Sequence, residues 1–255
     1  MPSLPVLTGQ IVRAISAGMF DPQLTTSRKL ELVGGFTASG LRLAAGMSTG
    51  RLGPRPALPL KLWDFERCPF SRRVREALST LDLDAEVRPC PRGGTRFRPE
   101  VAGGGVPRLE DPNLGAMLIG SAEICHHLYV RYGTGNAPWL MNLPPMRLST
   151  GIAIRVLTGG KGAQARPSKA PEKPLELWSF EASPYCRVVR ATLCELELPY
   201  LLHNVAKDSP RREAFVALSG KMQVPYLVDP NTGARMFESL VIQRYLESTY
   251  GAALA

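Results

Sequence analysis

At 255 residues with 44% hydrophobic side chains, the chain can bury the cores of one or two domains. It contains no apolar run of roughly 18 residues, which excludes an evident membrane-spanning helix. The net charge of +9 does not mark a nucleic-acid binder, because residues 1–59 hold 6 basic and 2 acidic side chains and residues 136–174 hold 6 and 1, whereas 60–135 hold 11 and 10 and 175–255 hold 8 and 9.

The opening segment, 1–59, is rich in Ser, Thr, Ala and Arg and has no acidic residue before Asp21, a composition similar to an organelle transit peptide. The five cysteines, Cys68, Cys90, Cys125, Cys186 and Cys194, form no CxxC pair and no zinc-type spacing. Their odd number points to free thiols in a reducing intracellular compartment, chloroplast or cytoplasm. The basic flanks leave open a peripheral contact with an anionic membrane surface or an acidic partner, beside the plainer role of keeping those segments soluble.

From Leu60 onward the chain repeats itself. Residues 60–71, LKLWDFERCPFS, align without gaps on residues 175–186, LELWSFEASPYC. The register continues through Arg72 and Arg187, Val74 and Val189, and Arg75 and Arg190, to Leu81-Asp82-Leu83 and Leu196-Glu197-Leu198. It resumes at Val106-Pro107 and Val224-Pro225, then runs through Asp111-Pro112-Asn113 and Asp229-Pro230-Asn231 to Tyr132 and Tyr250.

Each copy reads as β-α-β, a break, then β-β-α. Leu60 and Leu62, like Leu175 and Leu177, alternate as in a strand. Pro69 and Pro184 suit the first position of a helix, with Cys68 and Ser183 as its caps. Val74, Leu78 and Leu81 recur at helical spacing, as do Val189, Leu193 and Leu196. Val87 and the stretch 200–205 give second strands. Strands opening at Pro107 and Pro225 are turned by Asp-Pro-Asn into fourth strands at 116–118 and 234–237, and last helices run over 121–132 and 239–250. Trp63 and Trp178 read as core, and so do Cys90, Cys125 and Cys194. His126 and His127 are adjacent and face different ways on a helix, so no metal site is expected, and His203 reads as a strand residue. Residues 37–42 and 149–155 are a fainter repeat of paired lead-in segments, and 161–174 reads by composition as a flexible linker.

A strand, then Cys-Pro-Phe-Ser at a helix start, then Val-Pro opening a strand, resembles the glutaredoxin family. The arrangement is most similar to proteins with tandem copies of the glutathione-transferase N-terminal domain. The resemblance implies an α/β fold of two thioredoxin-like modules, 60–135 and 175–255, each a four-stranded mixed sheet with flanking helices. Residues 1–59 are then a basic lead-in and 136–174 a basic Pro/Gly-rich linker.

A sulfur at a helix N-terminus meets unpaired amides and the positive end of the dipole, both of which favour negative charge on it. Arg67, Arg72 and Arg73 add positive charge near Cys68. Ser71 stands where a dithiol enzyme has its second cysteine, so a disulfide on Cys68 would need an outside thiol, naturally glutathione, to resolve it. The resemblance further implies that Val106-Pro107 and Val224-Pro225 are cis and bind the cysteinyl part of glutathione. It also implies that Glu238 and Ser239 hold the γ-glutamyl end in the second module. The first module has Gly120-Ser121 there and lacks the carboxylate, and Ser at a helix start also reads as a plain cap. Ser183 replaces the nucleophile in the second module and resembles the thiol-activating hydroxyl of some transferases. Cys186 lies one turn into its helix, where shielding makes it a weak nucleophile, and a Cys68–Cys186 disulfide stays open.

These residues favour a glutathione-dependent thiol-disulfide oxidoreductase or transferase-like protein with Cys68 as nucleophile, acting with protein or small-molecule thiols. The alternative is a non-catalytic glutathione-binding or scaffold protein docked through its basic segments. Iron–sulfur ligation by one cysteine plus glutathione ranks last, because monothiol relatives that do this usually carry Gly after the cysteine. Transferases follow this module with a helical domain that is missing from 136–174 and after 250, so a hydrophobic co-substrate site would have to be improvised between modules.

Overall fold

The computed structural model describes residues 46–135 and 161–252. The lead-in repeats at 37–42 and 149–155 lie outside the described residues. The first module comprises β1 (Leu60–Asp64), α1 (Pro69–Thr80), β2 (Ala85–Pro89), a short 3-10 turn (Arg98–Val101), β3 (Arg108–Asp111), β4 (Ala116–Ile119) and α2 (Ser121–Tyr132). The second comprises β5 (Leu175–Ser179), α3 (Pro184–Glu195), β6 (Tyr200–Asn204), α4 (Arg212–Ser219), β7 (Tyr226–Val228), β8 (Arg235–Phe237) and α5 (Ser239–Tyr250). In both, the first strand lies parallel to the second and antiparallel to the third, giving the expected thioredoxin-like order.

Strand alternation sends side chains to two faces. Leu60 and Leu62 meet Val74 and Leu78 of α1, its C-cap Leu81, and Ile124 and Leu128 of α2 in one core. Leu175 and Leu177 do the same with α3 and α5 in a second core. On the opposite face Trp63 packs with Cys90 and Val101, while Trp178 packs with Phe215 and Tyr226. Phe215 belongs to α4, which fills what reads in the sequence only as a break. That helix ends at Gly220, whose φ of +84° lets its N–H return to the Val216 carbonyl at 2.7 Å.

The Asp-Pro-Asn turns are tied to the last helices. Asp111 accepts hydrogen bonds from Asn113 N–H at 3.0 Å and from Tyr132 hydroxyl and His127 at 2.7 Å each. Asp229 likewise accepts from Asn231 N–H at 2.8 Å and from the Tyr245 and Tyr250 hydroxyls at 2.6 Å. Burial pushes both carboxyls up, but these donors outweigh it and hold them below the usual range. His127 thus has a structural task.

The two modules share one sheet of eight strands, ordered β4-β3-β1-β2-β6-β5-β7-β8. Strands β2 and β6 occupy equivalent places in the repeat and pair antiparallel, Ala85 with Leu202, Glu86 with Leu201 and Val87 with Tyr200. Glu86 therefore faces its own counterpart across a pseudo-twofold axis, as in a symmetric dimer interface. Each module thereby covers the other's edge strand.

The approach segments cross the same seam. Thr49 N–H donates to the Lys207 carbonyl and Lys207 N–H to the Met47 carbonyl, both at 2.8 Å, tying the first lead-in to the second module. Arg92 N–H donates to the Ala163 carbonyl at 3.0 Å and Ala165 N–H to the Arg92 carbonyl at 2.8 Å, tying the second lead-in to the first module. Residues 161–174 thus include a hydrogen-bonded strap where composition suggests a flexible linker. Proline and glycine content limits which bonds a segment can make, but it does not prevent extended pairing.

Candidate functional site

Register brings the elements of each site to one end of the sheet. Trp63 near the end of β1 pairs with Arg108 at the start of β3, and Arg108 pairs with Ile119 at the end of β4. The Cys68 loop, the Val106-Pro107 step and the start of α2 at Ser121 therefore converge. Gly120 N–H donates to the Pro107 carbonyl at 3.0 Å, joining two of them directly. In the second module Trp178, Tyr226 and Phe237 stand in the same relation and gather Ser183, Val224-Pro225 and Ser239. Both Val-Pro bonds are cis.

Cys68 is the N-cap of α1, in extended backbone at φ −77° and ψ 120°, with Pro69 first in the helix and no side-chain capping bond. All five cysteines are free, and Cys68 is half-buried while the other four are buried. Burial pushes the Cys90 thiol up to about 12 and raises Cys194 well above its usual value. Of the arginines expected to lend charge, Arg72 is buried and paired with Glu76 at 3.1 Å, so its charge is already balanced.

Ser183 caps α3 by accepting the Cys186 N–H at 3.3 Å, so the capping reading describes its geometry. Cys186 is fully buried. Its counterpart Ser71 is equally buried, and its hydroxyl has no hydrogen-bond partner among the described residues. Ser121 and Ser239 are first helical residues, with Gly120 and Glu238 in the cap positions, so neither serine is the plain cap that its place in the sequence suggests.

Glu238 sits at φ +68°, a conformation that its counterpart Gly120 adopts at +89° without strain. Its exposed carboxylate accepts a hydrogen bond from the Gln223 side chain, which precedes Val224-Pro225. Gly105 and Gly120 take these two places in the first module, and a Cβ added at either meets nothing within 4 Å. The second module thus carries a polar clamp where the first is open. Gln223 was missed in the sequence, although its place before Val-Pro is a usable signal.

A family model for the N-terminal domain of glutathione S-transferase matches the chain twice, over residues 62–137 and 177–253. The chain belongs to this glutathione S-transferase N-terminal domain family. Among solved structures, the trimeric glutathione transferase TDR1 of Leishmania is similar at 14% identity and a TM-score of 0.26, over 78% of this chain and 69% of that one. No curated protein matches.

Beside these two candidate sites lies a set of buried charges that the sequence reading does not anticipate. Arg75 in α1 is fully buried and donates to Asp64 at 2.7 and 2.8 Å and to Glu181 of the second module at 3.0 and 3.3 Å. Its repeat partner Arg190 in α3 donates to Glu66 of the first module at 3.1 and 3.3 Å. Burial disfavours the charged form of Glu181, but Arg190, Arg75 and Arg72 outweigh it and hold its carboxyl well below the usual range. The recurrence of Glu66 with Arg75 and of Glu181 with Arg190 at one spacing is the sequence signal that could have revealed the pairs. Among the described residues no group of three His, Cys, Asp or Glu could hold a metal, and no helix is long and apolar enough to cross a membrane.

Proposed function

We propose that the protein is a glutathione-dependent thiol oxidoreductase or transferase-like protein in which Cys68 is the nucleophile and the second module chiefly binds glutathione. The observation that carries the reading is that Cys68, at a helix N-terminus, is the cysteine left accessible while the other four are buried. Its thiolate attacks the glutathionyl sulfur of a mixed disulfide, forming a Cys68–glutathione disulfide and releasing the other thiol. A second glutathione thiolate then attacks that bond, regenerating Cys68 and leaving oxidised glutathione. Val106 and Ser121 frame the tripeptide in the first module. In the second, Val224 offers its backbone, and Glu238 and Ser239 receive the γ-glutamyl amino and carboxylate groups. In this reading neither Ser183, which is buried and caps its helix, nor Cys186, which is fully buried, is the nucleophile.

Exposure to oxidised glutathione tests the nucleophile. Intact mass should rise by one glutathionyl group, and peptide mapping should place it on Cys68. Modification elsewhere, or none, removes Cys68 from the role.

Glu238→Gly should separate folding from binding. Relief of the positive-φ strain, about 1–3 kcal/mol, outweighs glycine's added chain entropy, about 0.5–1 kcal/mol, so denaturant unfolding should show a gain of about 1 kcal/mol. Calorimetry should show glutathione binding weakened at least about tenfold, the loss of a hydrogen bond to a charged group. Unchanged affinity would take Glu238 out of the clamp.

A further inference from the structure

We infer that the Cys68 loop is held in position by the other module, with Arg190 as the positioning residue. The inference rests on the proposed role of Cys68 and adds to it where the loop's geometry comes from. Glu66 stands two residues before Cys68 and is buried. Its carboxylate receives Arg190 Nε at 3.1 Å and Arg190 Nη2 at 3.3 Å, with Arg187 of the same helix at 3.8 Å. Its own module supplies Arg75, at 3.3 Å from the carboxylate and 3.3 Å from the backbone carbonyl of the same residue. The loop then closes through Cys68 N–H to the Phe65 carbonyl at 2.8 Å.

The repeat shows that this is a built arrangement. Glu181 stands two residues before Ser183, and Arg75 reaches it with two bonds while Arg72 lies 3.7 Å away. Each loop before a helix start is therefore gripped by a guanidinium fork from the opposite module. A fork fixes direction as well as distance, which a lysine in its place would not. Because the sulfur gains from the helix end only when aligned with it, a shift of the 65–68 turn alters its reactivity.

The test is the rate of iodoacetamide alkylation at Cys68, read by peptide mass at fixed pH, on full-length wild type, Arg190→Lys, Glu66→Gln and the double variant. Each single change should slow alkylation about fivefold, the factor that corresponds to the ~1 kcal/mol a charge gains at a helix N-terminus. The double variant should be slowed by less than the product of the two single effects, because the Arg190–Glu66 pair is lost in all three, although Arg190 also reaches Glu181 and Glu66 also meets Arg75. Phe215→Ala, a core change in α4 that packs with Trp178 and Tyr226 on the sheet face opposite α3, should leave the rate at the wild-type value, whereas a general loosening of the fold would slow it too. Wild-type rates in both single variants, or effects that multiply in the double, overturn the inference. If Arg190→Lys does not fold, Glu66→Gln alone decides, fivefold slowing supporting the inference and an unchanged rate overturning it. Mixed-disulfide turnover measured alongside separates the two readings: slowed alkylation in the variants of a wild type that has no turnover keeps the positioning and removes the enzyme.

Discussion

Arg190→Met should lower the unfolding free energy by about 3–5 kcal/mol, the typical loss when one partner of a buried ion pair is removed. The value is large because the variant leaves two buried carboxylates short of a donor. Arg190 gives Glu66 two hydrogen bonds and approaches Glu181 at 3.0 Å, and both acids are almost wholly enclosed. As it stands, the cluster balances Asp64, Glu66, Glu76 and Glu181 against Arg72, Arg75, Arg187 and Arg190. Taking away one cation leaves a net negative charge where water cannot reach it.

The pH dependence carries the sign of the effect. The depressed Glu181 carboxyl contributes stability that is fully present above its unfolded value of about 4.3. That contribution is lost as pH falls through the folded value, about 2. Without Arg190 the depression is weaker, so wild type has more to lose on acidification than the variant. Guanidinium unfolding at pH 7 and pH 3 should therefore show a gap that narrows at the lower pH. A gap equal at both, or a loss below about 1 kcal/mol at pH 7, would mean that Arg190 reaches water and that the pair is worth no more than an exposed one.

The module fold was legible because its local signals agreed. Pro69 and Pro184 start helices, Val74 and Leu78 line one helix face with Leu81 as the C-cap, and Asp111 and Asp229 stand where strands give way to turns, as their neighbours imply. What could not be read depends on what lies beyond each module. On α1, the face bearing Arg72, Arg75 and Glu76 has the residue types of a solvent face, and it becomes interior because the Glu181 loop of the second module and the segment at Gly46 lie against it. Strand β2 carries Glu86 and Arg88, which look like charges guarding an edge. Arg88 turns back on Glu86 at 2.9 Å, and the backbone edge is free to meet β6. For the candidate site the split is similar. The positions of Cys68, the Val-Pro steps and Glu238 follow from the repeat and the resemblance, whereas the burial of Cys186 and the pairing of Arg72 depend on packing.

Cys68→Ser should abolish turnover of a glutathione mixed disulfide, a fall on the order of a thousandfold or more, as when a nucleophile is removed from a catalytic unit. A hydroxyl in that place still caps the helix, as Ser183 does in the second module, so unfolding should be unchanged while no disulfide can form. Cys186→Ser is the matching control. The first module already accommodates a buried serine, Ser71, at the equivalent position, so the variant should fold with turnover within about twofold of wild type. Ser71→Cys then asks how the mixed disulfide is resolved. With a thiol one turn from Cys68, the bond to glutathione can be attacked from within the chain, releasing glutathione and leaving a disulfide inside the module. Intact mass after treatment with oxidised glutathione should then show the loss of two hydrogens in place of an adduct, provided the helix start can bring the two sulfurs together. Turnover that survives in Cys68→Ser would move the chemistry to another group, with glutathione activated by the protein rather than exchanged on it.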